Sequence, residues 1–403
     1  MAGLQDFNAH SPRSFIWLRR VLNIMEKNKK IVIVGAGPVG CYLGQLLKSY
    51  GFNPLLLEEH AEIGCPVQCA GIVGRGLFEE MKLPVSSQSI LNVIDGAKIS
   101  FNGYKFQLNR PKVAYVINRE IFDQELSHGL NIEPKTVVQE VHQIKDGYII
   151  KTSNGEYFAD LIVGADGPNS RVRKSLGFSS DLKLYRGYQY RLKMQPQNLN
   201  LVEVHYVKPF SLFTWLIPEG NGIVRIGTIS HNPYQDVNKF LADQAINKDI
   251  VEKIAGAIPI GTCQLTKGQA ALVGDAACQV KPITSGGIYY GMKAAELLAE
   301  AIREGDLALY EKRWVEEFEQ EIKICLLARY VMENMGEDVL GRVFSYFKDN
   351  ASLIEKIGDF ENHSSVLWSL VLNPRTYPTI GALLIGMLKN PKFILRSLLR
   401  LPR

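Results

Sequence analysis

The apolar run Ile31 to Val34 is followed at once by Gly35, Gly37 and Gly40, and then Val39, Leu43, Leu46 and Leu47 recur at helical spacing. That order predicts a buried strand, a tight turn and an amphipathic helix. A second apolar run, Leu55 to Leu57, enters through the turn pair Asn53-Pro54 and ends in Glu58, so residues 31 to 58 have the order and length of a β-α-β unit. Beyond about residue 90 polar and apolar residues alternate, as in Lys98, Ser100, Gly103 and Lys105 set among Ile99, Phe101, Tyr104 and Phe106. A period of two predicts antiparallel strands. Similar stretches cover Leu184 to Met194, Leu201 to Val207, Ser211 to Ile217 and Gly222 to Ile229, with turns at Pro209 and at Glu219 to Gly222. Between these blocks lie a helix-like segment, Arg119 to His128, and a strand-like one, Leu161 to Gly164. From Gly287 onward the pattern is helical: Ile288 to Arg303, Ala308 to Met335 and shorter pieces.

The pattern predicts an α/β fold with an α+β second domain: a doubly wound nucleotide-binding domain interleaved with an antiparallel-sheet domain, followed by a helical C-terminal region. The expected division gives residues 30–90, 110–178 and 262–305 to the first domain and 91–109 and 179–261 to the second. Residues 306–403 form the helical region. Residues 1–29 are an N-terminal extension, either disordered or the product of a misassigned start.

The 403 residues are 46% hydrophobic and 22% charged, which excludes intrinsic disorder. Six cysteines in so long a chain, with no signal-peptide pattern at the start, point to a reducing, cytoplasmic setting. The net charge of +5 changes meaning once it is located. Residues 1 to 30 carry +4 and residues 373 to 403 carry +6, leaving −5 for the body. An acidic body with basic ends is not the footprint of a nucleic-acid-binding domain. The C-terminal run Thr379 to Leu388 is about ten residues long, half of what a bilayer span needs. Followed by Lys389, Lys392, Arg396, Arg400 and Arg403, it suits peripheral attachment to an anionic membrane interface, or a helix packed on the body. Ser14 to Met25 has an amphipathic stripe as well.

The glycines of Gly35 to Gly40 stand where a tight turn, close approach to a pyrophosphate and close helix packing each exclude a Cβ. The helix that follows offers free N–H groups and the positive end of its dipole. Glu58, 23 residues after Gly35, is placed to accept from a ribose hydroxyl, and its neighbour Glu59 reads as a solvated loop acid. A second glycine-bearing segment runs from Ala271 through Asp275 to Gly286 and Gly287, where a helix opens at Ile288. It resembles the segment of glutathione-reductase-type flavoproteins whose acid binds the ribityl chain and whose helix points at the flavin. A third, Val163 to Arg173, carries Asp166 and Gly167 in the form of the aspartate-glycine fingerprint of flavin hydroxylases.

Two further runs, Glu62 to Gly71 and Pro282 to Tyr290, resemble the geranylgeranyl reductase family, and the resemblance extends from about Lys30 to at least residue 330. It implies an FAD enzyme that saturates isolated double bonds of isoprenoid chains in lipids. It also implies site residues: Gly40, Glu58, Cys69 and Ala70 beside the flavin, Arg119, Val138 near the adenine, Asp275, Gly286, Gly287 and Ile288. The family's substrate motif Tyr-x-Trp-x-Phe-Pro is met here by Phe213, Trp215 and Pro218, with tyrosine and final phenylalanine missing. Flavin-dependent halogenases share the Ile-Pro pair found at Ile217-Pro218, so a halogenase or monooxygenase acting on an apolar or aromatic substrate is the competing reading. A non-enzymatic flavoprotein is a further one. The seven histidines show no ligand spacing and Cys65 with Cys69 lacks a second pair, so no metal is expected. No second fingerprint for a resident nicotinamide is visible. Electrons are therefore expected from transiently bound NAD(P)H or from a carrier such as ferredoxin.

Overall fold

The computed structural model describes residues 29–377, except for 82, 84, 208–211 and 335. The stripe at Ser14 to Met25, the turn at Pro209 and the basic apolar run 379–403 lie outside the described residues. Strand Ile31–Val34 is buried along its whole length and sits inside a parallel sheet. The order is Thr266–Lys267, Ala270–Leu272, Leu161–Gly164, Ile31–Val34, Leu55–Leu57 and Asn131–Glu133, with only the first, two-residue strand antiparallel. A strand buried on both faces has no polar alternation to keep, which is why Ile31 to Val34 reads as a continuous apolar run. Helices Pro38–Ser49 and Ile288–Glu304 cover this sheet and touch each other. Leu43, Leu47, Leu298 and Ala299 are fully buried between the layers.

The alternating segments form an eight-stranded sheet. Its order is Ile250–Cys263, Ser180–Lys193, Ile223–Ser230, Leu212–Gly220, Leu201–Val207, Ile90–Phe101, Tyr104–Ile117 and Ile72–Gly74. Alternation assigns its two faces. Trp215 and Ile217 join one apolar cluster, while Leu216, Val224 and Ile226 join another that helix Pro233–Asp243 covers with Val237 and Leu241. A separate three-stranded sheet, Val138–Ile144, Gly147–Thr152 and Gly155–Ala159, stands beside the parallel sheet.

Strands in this structure run across the expected domain boundaries. Tyr104–Ile117 continues unbroken past residue 109, and Ile250–Cys263 past residue 261. Ile72–Gly74, inside the segment expected in the first domain, pairs with the far end of Tyr104–Ile117 and forms an edge of the large sheet. The large sheet thus draws strands from both of the expected domains. The C-terminal region is helical as expected, in Ala308–Asn334, Glu337–Asp349, Ala351–Ile357 and Ser364–Leu372. Helix Glu337–Asp349 docks on the large sheet by packing Leu340 and Phe344 against Phe101 and Phe106.

Candidate functional site

The loop from Gly35 to Gly40 is built around two contacts that forbid a side chain. A Cβ on Gly40 would come within 2.1 Å of the Gly35 carbonyl, and one on Gly35, at φ +98°, within 2.5 Å of the Ala165 carbonyl. Gly37 is different. Its φ of −69° suits any residue, and a Cβ there would meet no protein atom within 4 Å. The protein itself gives no reason for glycine at this position, so the open space in front of the helix is what the missing side chain preserves. Helix Pro38–Ser49 begins there with no side-chain cap and no acid in its first turn. Its leading N–H groups are left for a ligand, which is the arrangement that receives a pyrophosphate.

Glu58 lies at the end of the neighbouring strand and is buried. One carboxylate oxygen accepts from the Ala36 N–H at 2.7 Å, and the other accepts from the His60 N–H at 3.0 Å and lies 2.6 Å from His60 Nδ1. The acid is therefore held facing the loop, with His60 as a second support. Glu59 points to solvent. The Thr136 N–H donates to the Glu58 carbonyl at 2.7 Å, which brings the start of strand Val138–Ile144 beside the acid. Val138 is buried in the main apolar core.

A second helix start meets the first. Val39, in the first turn of Pro38–Ser49, is wedged between Gly274 and Gly291: a Cβ on Gly291 would lie 2.6 Å from Val39 Cγ2, and one on Gly274 3.3 Å from the same side chain. Helix Ile288–Glu304, N-capped by Gly287, likewise has no side-chain cap and no acid in its first turn. Asp275 stands in front of it, its Oδ1 2.6 Å from where a Gly287 Cβ would be. Burial pushes its carboxyl up to about 6, against the opposing pull of Arg119. Gly286 accepts a hydrogen bond from the Lys281 N–H, and Lys281 Nζ forms a buried ion pair with Glu361 at 2.8 Å. This anchors the Pro282 to Gly287 loop to the C-terminal region. Asp166 accepts from the N–H groups of Arg171 and Val172 and so caps the short helix Arg171–Ser175, while its other oxygen is buried without a partner. Buried Arg173 donates to the carbonyls of Ala276 and Pro168, tying the Asp166-Gly167 turn to the Asp275 turn.

Cys69 and Ala70 lie on a loop between the two sheets. Arg119, at the start of helix Arg119–Ser127, is held bidentately by buried Asp123 at 3.0 and 2.7 Å and lies within electrostatic reach of Cys69. These charge-assisted contacts keep the guanidinium firmly protonated. From the other sheet Arg225 donates to the carbonyls of Ala70 and Ile117 at 2.7 and 3.1 Å, and to Glu219 at 2.7 Å. Arg191 grips the same glutamate from the next strand. Ala70 then packs on the apolar cluster that holds Trp215 and Phe213, whose rings are 5.9 Å apart. Trp215 Nε1 donates to Gln189 at 2.7 Å.

The structure thus brings Ala70, Trp215 and Phe213 into one apolar cluster, with Cys69 beside Ala70 in the chain and Arg119 within electrostatic reach of Cys69 and Asp275. Pro218 does not join them. It is an odd number of positions from Phe213 and Trp215, it pairs with Val224 of the opposite-face cluster, and its carbonyl accepts from Asn92. His60, Arg173, Arg225, Gly274, Lys281 and Gly291 were not singled out from sequence. Of these only Gly274 and Gly291 leave a local signal, as glycines flanking the second loop.

The contrast between two glycines gives a direct test. Gly37→Val should leave the fold of the cofactor-free protein intact, within about 1 kcal/mol by urea denaturation, yet abolish retention of a dinucleotide. Gly40→Ala should lower both, because its Cβ meets backbone rather than ligand. Equal destabilisation by the two substitutions would contradict this assignment.

Comparison with known proteins supports the same grouping. The family of NAD(P)-binding Rossmann-like domains matches residues 33–77. An uncharacterized protein of Methanocaldococcus jannaschii is 30% identical over 83% of this chain and 93% of its own length. Digeranylgeranylglycerophospholipid reductase 2 of Methanopyrus kandleri is 30% identical over 77% of this chain and 88% of its own. Among solved structures, a geranylgeranyl bacteriochlorophyll reductase-like protein of Thermoplasma acidophilum matches with a TM-score of 0.76 at 23% identity, over 89% of this chain and 99% of that one. With this identity carried over more than three quarters of its length, the chain belongs to the geranylgeranyl reductase family of flavin-dependent oxidoreductases.

Proposed function

We propose that the protein binds FAD and uses it to saturate C=C bonds in the isoprenoid chains of lipids. The observation that carries this reading is the meeting of two uncapped helix starts with the apolar sheet face of Trp215 and Phe213, across the Cys69-Ala70 loop. Gly35, Gly37 and Gly40 would receive the pyrophosphate, Glu58 the adenosine ribose and Asp275 the ribityl chain. When bound, such a group supplies a hydride to one alkene carbon while a proton reaches the other. The Ile288–Glu304 helix start favours negative charge in front of it.

An isolated alkene has no carbonyl to activate it, so holding it against the hydride donor in a dry site must supply much of the rate. Ala70, Trp215 and Phe213 provide apolar surface, and the Trp215 N–H is already bonded to Gln189, so it makes no demand on a hydrocarbon. Arg225 and Arg119 act by fixing the loop on which Cys69 and Ala70 sit. The electron source in this reading is transient NAD(P)H or a ferredoxin-like carrier. Incubating dithionite-reduced protein with isoprenoid lipids and recording mass spectra should show gains of two hydrogens per bond. Addition of oxygen or halogen in air, with no hydrogen gain, would replace this reading by the monooxygenase or halogenase one.

A substrate with long apolar chains is drawn from a bilayer, and we infer peripheral membrane attachment at the C-terminal end. What supports it is the exposure of Trp368, Val371, Leu372 and Tyr377 at the last described helix and turn, next to the basic residues that follow in sequence. Each Lys or Arg near an anionic surface contributes about 1 kcal/mol. Removing residues 379–403 should release the protein from anionic liposomes while leaving reduction of detergent-solubilised substrate intact. Undiminished co-sedimentation of the truncated chain would contradict the attachment. Among the described residues no helix is long and apolar enough to cross a membrane.

A further inference from the structure

Away from the dinucleotide site, helix Ala308–Asn334 carries Glu321 and Cys325 one turn apart, so both project from the same face. Both are buried. His363, which precedes helix Ser364–Leu372, is folded back onto that face, and one ligand atom from each of the three lies within 4.8 Å of the others. The contacts are direct: Cys325 Sγ is 3.1 Å from Glu321 Oε1, and the His363 N–H donates to the same oxygen at 2.6 Å. The Ser364 N–H donates to both carboxylate oxygens at 3.2 and 3.1 Å.

Capping of the last helix accounts for Glu321 alone. It leaves His363 Nδ1 sealed from solvent with no hydrogen-bond partner, and it leaves a buried carboxylate whose contacts are all neutral donors. A buried charge of that kind is costly without a counter-charge. A divalent cation answers both deficits. Thiolate and carboxylate together neutralise its charge, and neutral His363 supplies the third ligand through Nδ1. Bonds of about 2.0–2.3 Å in tetrahedral geometry place ligand atoms roughly 3.3–3.8 Å apart. The observed cluster reaches that separation by small side-chain movements. The mixture of sulfur, nitrogen and oxygen favours zinc over magnesium or calcium, which take oxygen ligands. Backbone N–H groups that stay on the carboxylate would orient it, as outer partners of metal ligands do. Lys281, whose charge is felt at His363, is itself paired with Glu361.

We propose that Glu321, Cys325 and His363 form a Zn2+ site that pins the start of the last described helix to helix Ala308–Asn334. This departs from the expectation of no metal, because His363 lies 38 positions beyond Cys325 and only the fold brings them together. The site lies beyond the residues assigned to reduction, and its role is to hold the segment whose Phe360 and Glu361 grip Lys281 under the second loop.

The full chain, without an affinity tag and purified from zinc-supplemented culture with no chelator, should contain about one zinc per chain by mass spectrometry. X-ray absorption at the zinc edge should show one sulfur at about 2.3 Å. His363→Gln and Cys325→Ser should each fall to near zero zinc while retaining bound flavin, which reports the fold independently. EDTA should lower the melting temperature of the wild-type chain and leave that of His363→Gln unchanged. Zinc content near zero in wild-type protein even after dialysis against Zn2+ would overturn the proposal. So would retention of zinc by His363→Gln at the wild-type level; in either case the cluster is a helix cap only.

Discussion

The whole arrangement depends on how closely two helix starts approach one another. Val39 reaches into the space left by Gly274 and Gly291, and with it the first turn of Pro38–Ser49 comes against the turn that opens Ile288–Glu304. Neither helix caps itself and neither places an acid in its first turn. Each leaves unsatisfied N–H groups and a positive dipole end in the same region, which is unfavourable until an anion or a polar ligand arrives. The parallel sheet makes the approach possible, because strands Ile31–Val34, Leu161–Gly164 and Ala270–Leu272 lie side by side and deliver their C-terminal loops to one edge. That edge is where open α/β sheets take ligands.

The second sheet is attached to this edge by buried cations. Arg225 reaches from the large sheet to the carbonyls of Ala70 and Ile117, and the Arg119 charge lies within electrostatic reach of Cys69. Both guanidinium groups are also neutralised by carboxylates, Glu219 and Asp123, so their burial is compensated. Arginine suits this work because its rigid fork can serve a carboxylate and carbonyls at once. The Cys69-Ala70 loop is thereby held against the apolar face of Trp215. Lys281 performs the same service for the second loop, through Glu361 and the Phe360 carbonyl.

What was legible in the sequence is what local chemistry dictates. Gly35 to Gly40, Glu58, Asp275 and Gly287 are recognisable because a turn, a helix start and a strand end each leave a signature within a few residues. Arg225 is not, since it acts on Ala70 from 155 positions away and reads as an ordinary polar residue in an alternating strand. Arg173 and its partner Ala276, 103 positions apart, escape for the same reason. Pro218 was grouped with Phe213 and Trp215 by motif, yet strand alternation sends it to the other face. The expected boundaries at 109/110 and 261/262 followed changes in texture, whereas the backbone ladder carries Tyr104–Ile117 and Ile250–Cys263 past them. Metal ligands on separate elements, such as Glu321 and His363, have no spacing to read.

The central claim is that one dinucleotide lies across both helix starts at once. Amide hydrogen exchange of the full chain, with and without added FAD, tests it most directly, because the leading N–H groups of each helix have no internal partner and report a ligand by their protection. The account predicts slowed exchange together at Val39 and Gly40 and at Gly287 to Tyr290. Protection confined to Val39 and Gly40, with Gly287 to Tyr290 exchanging as in the free protein, would contradict it.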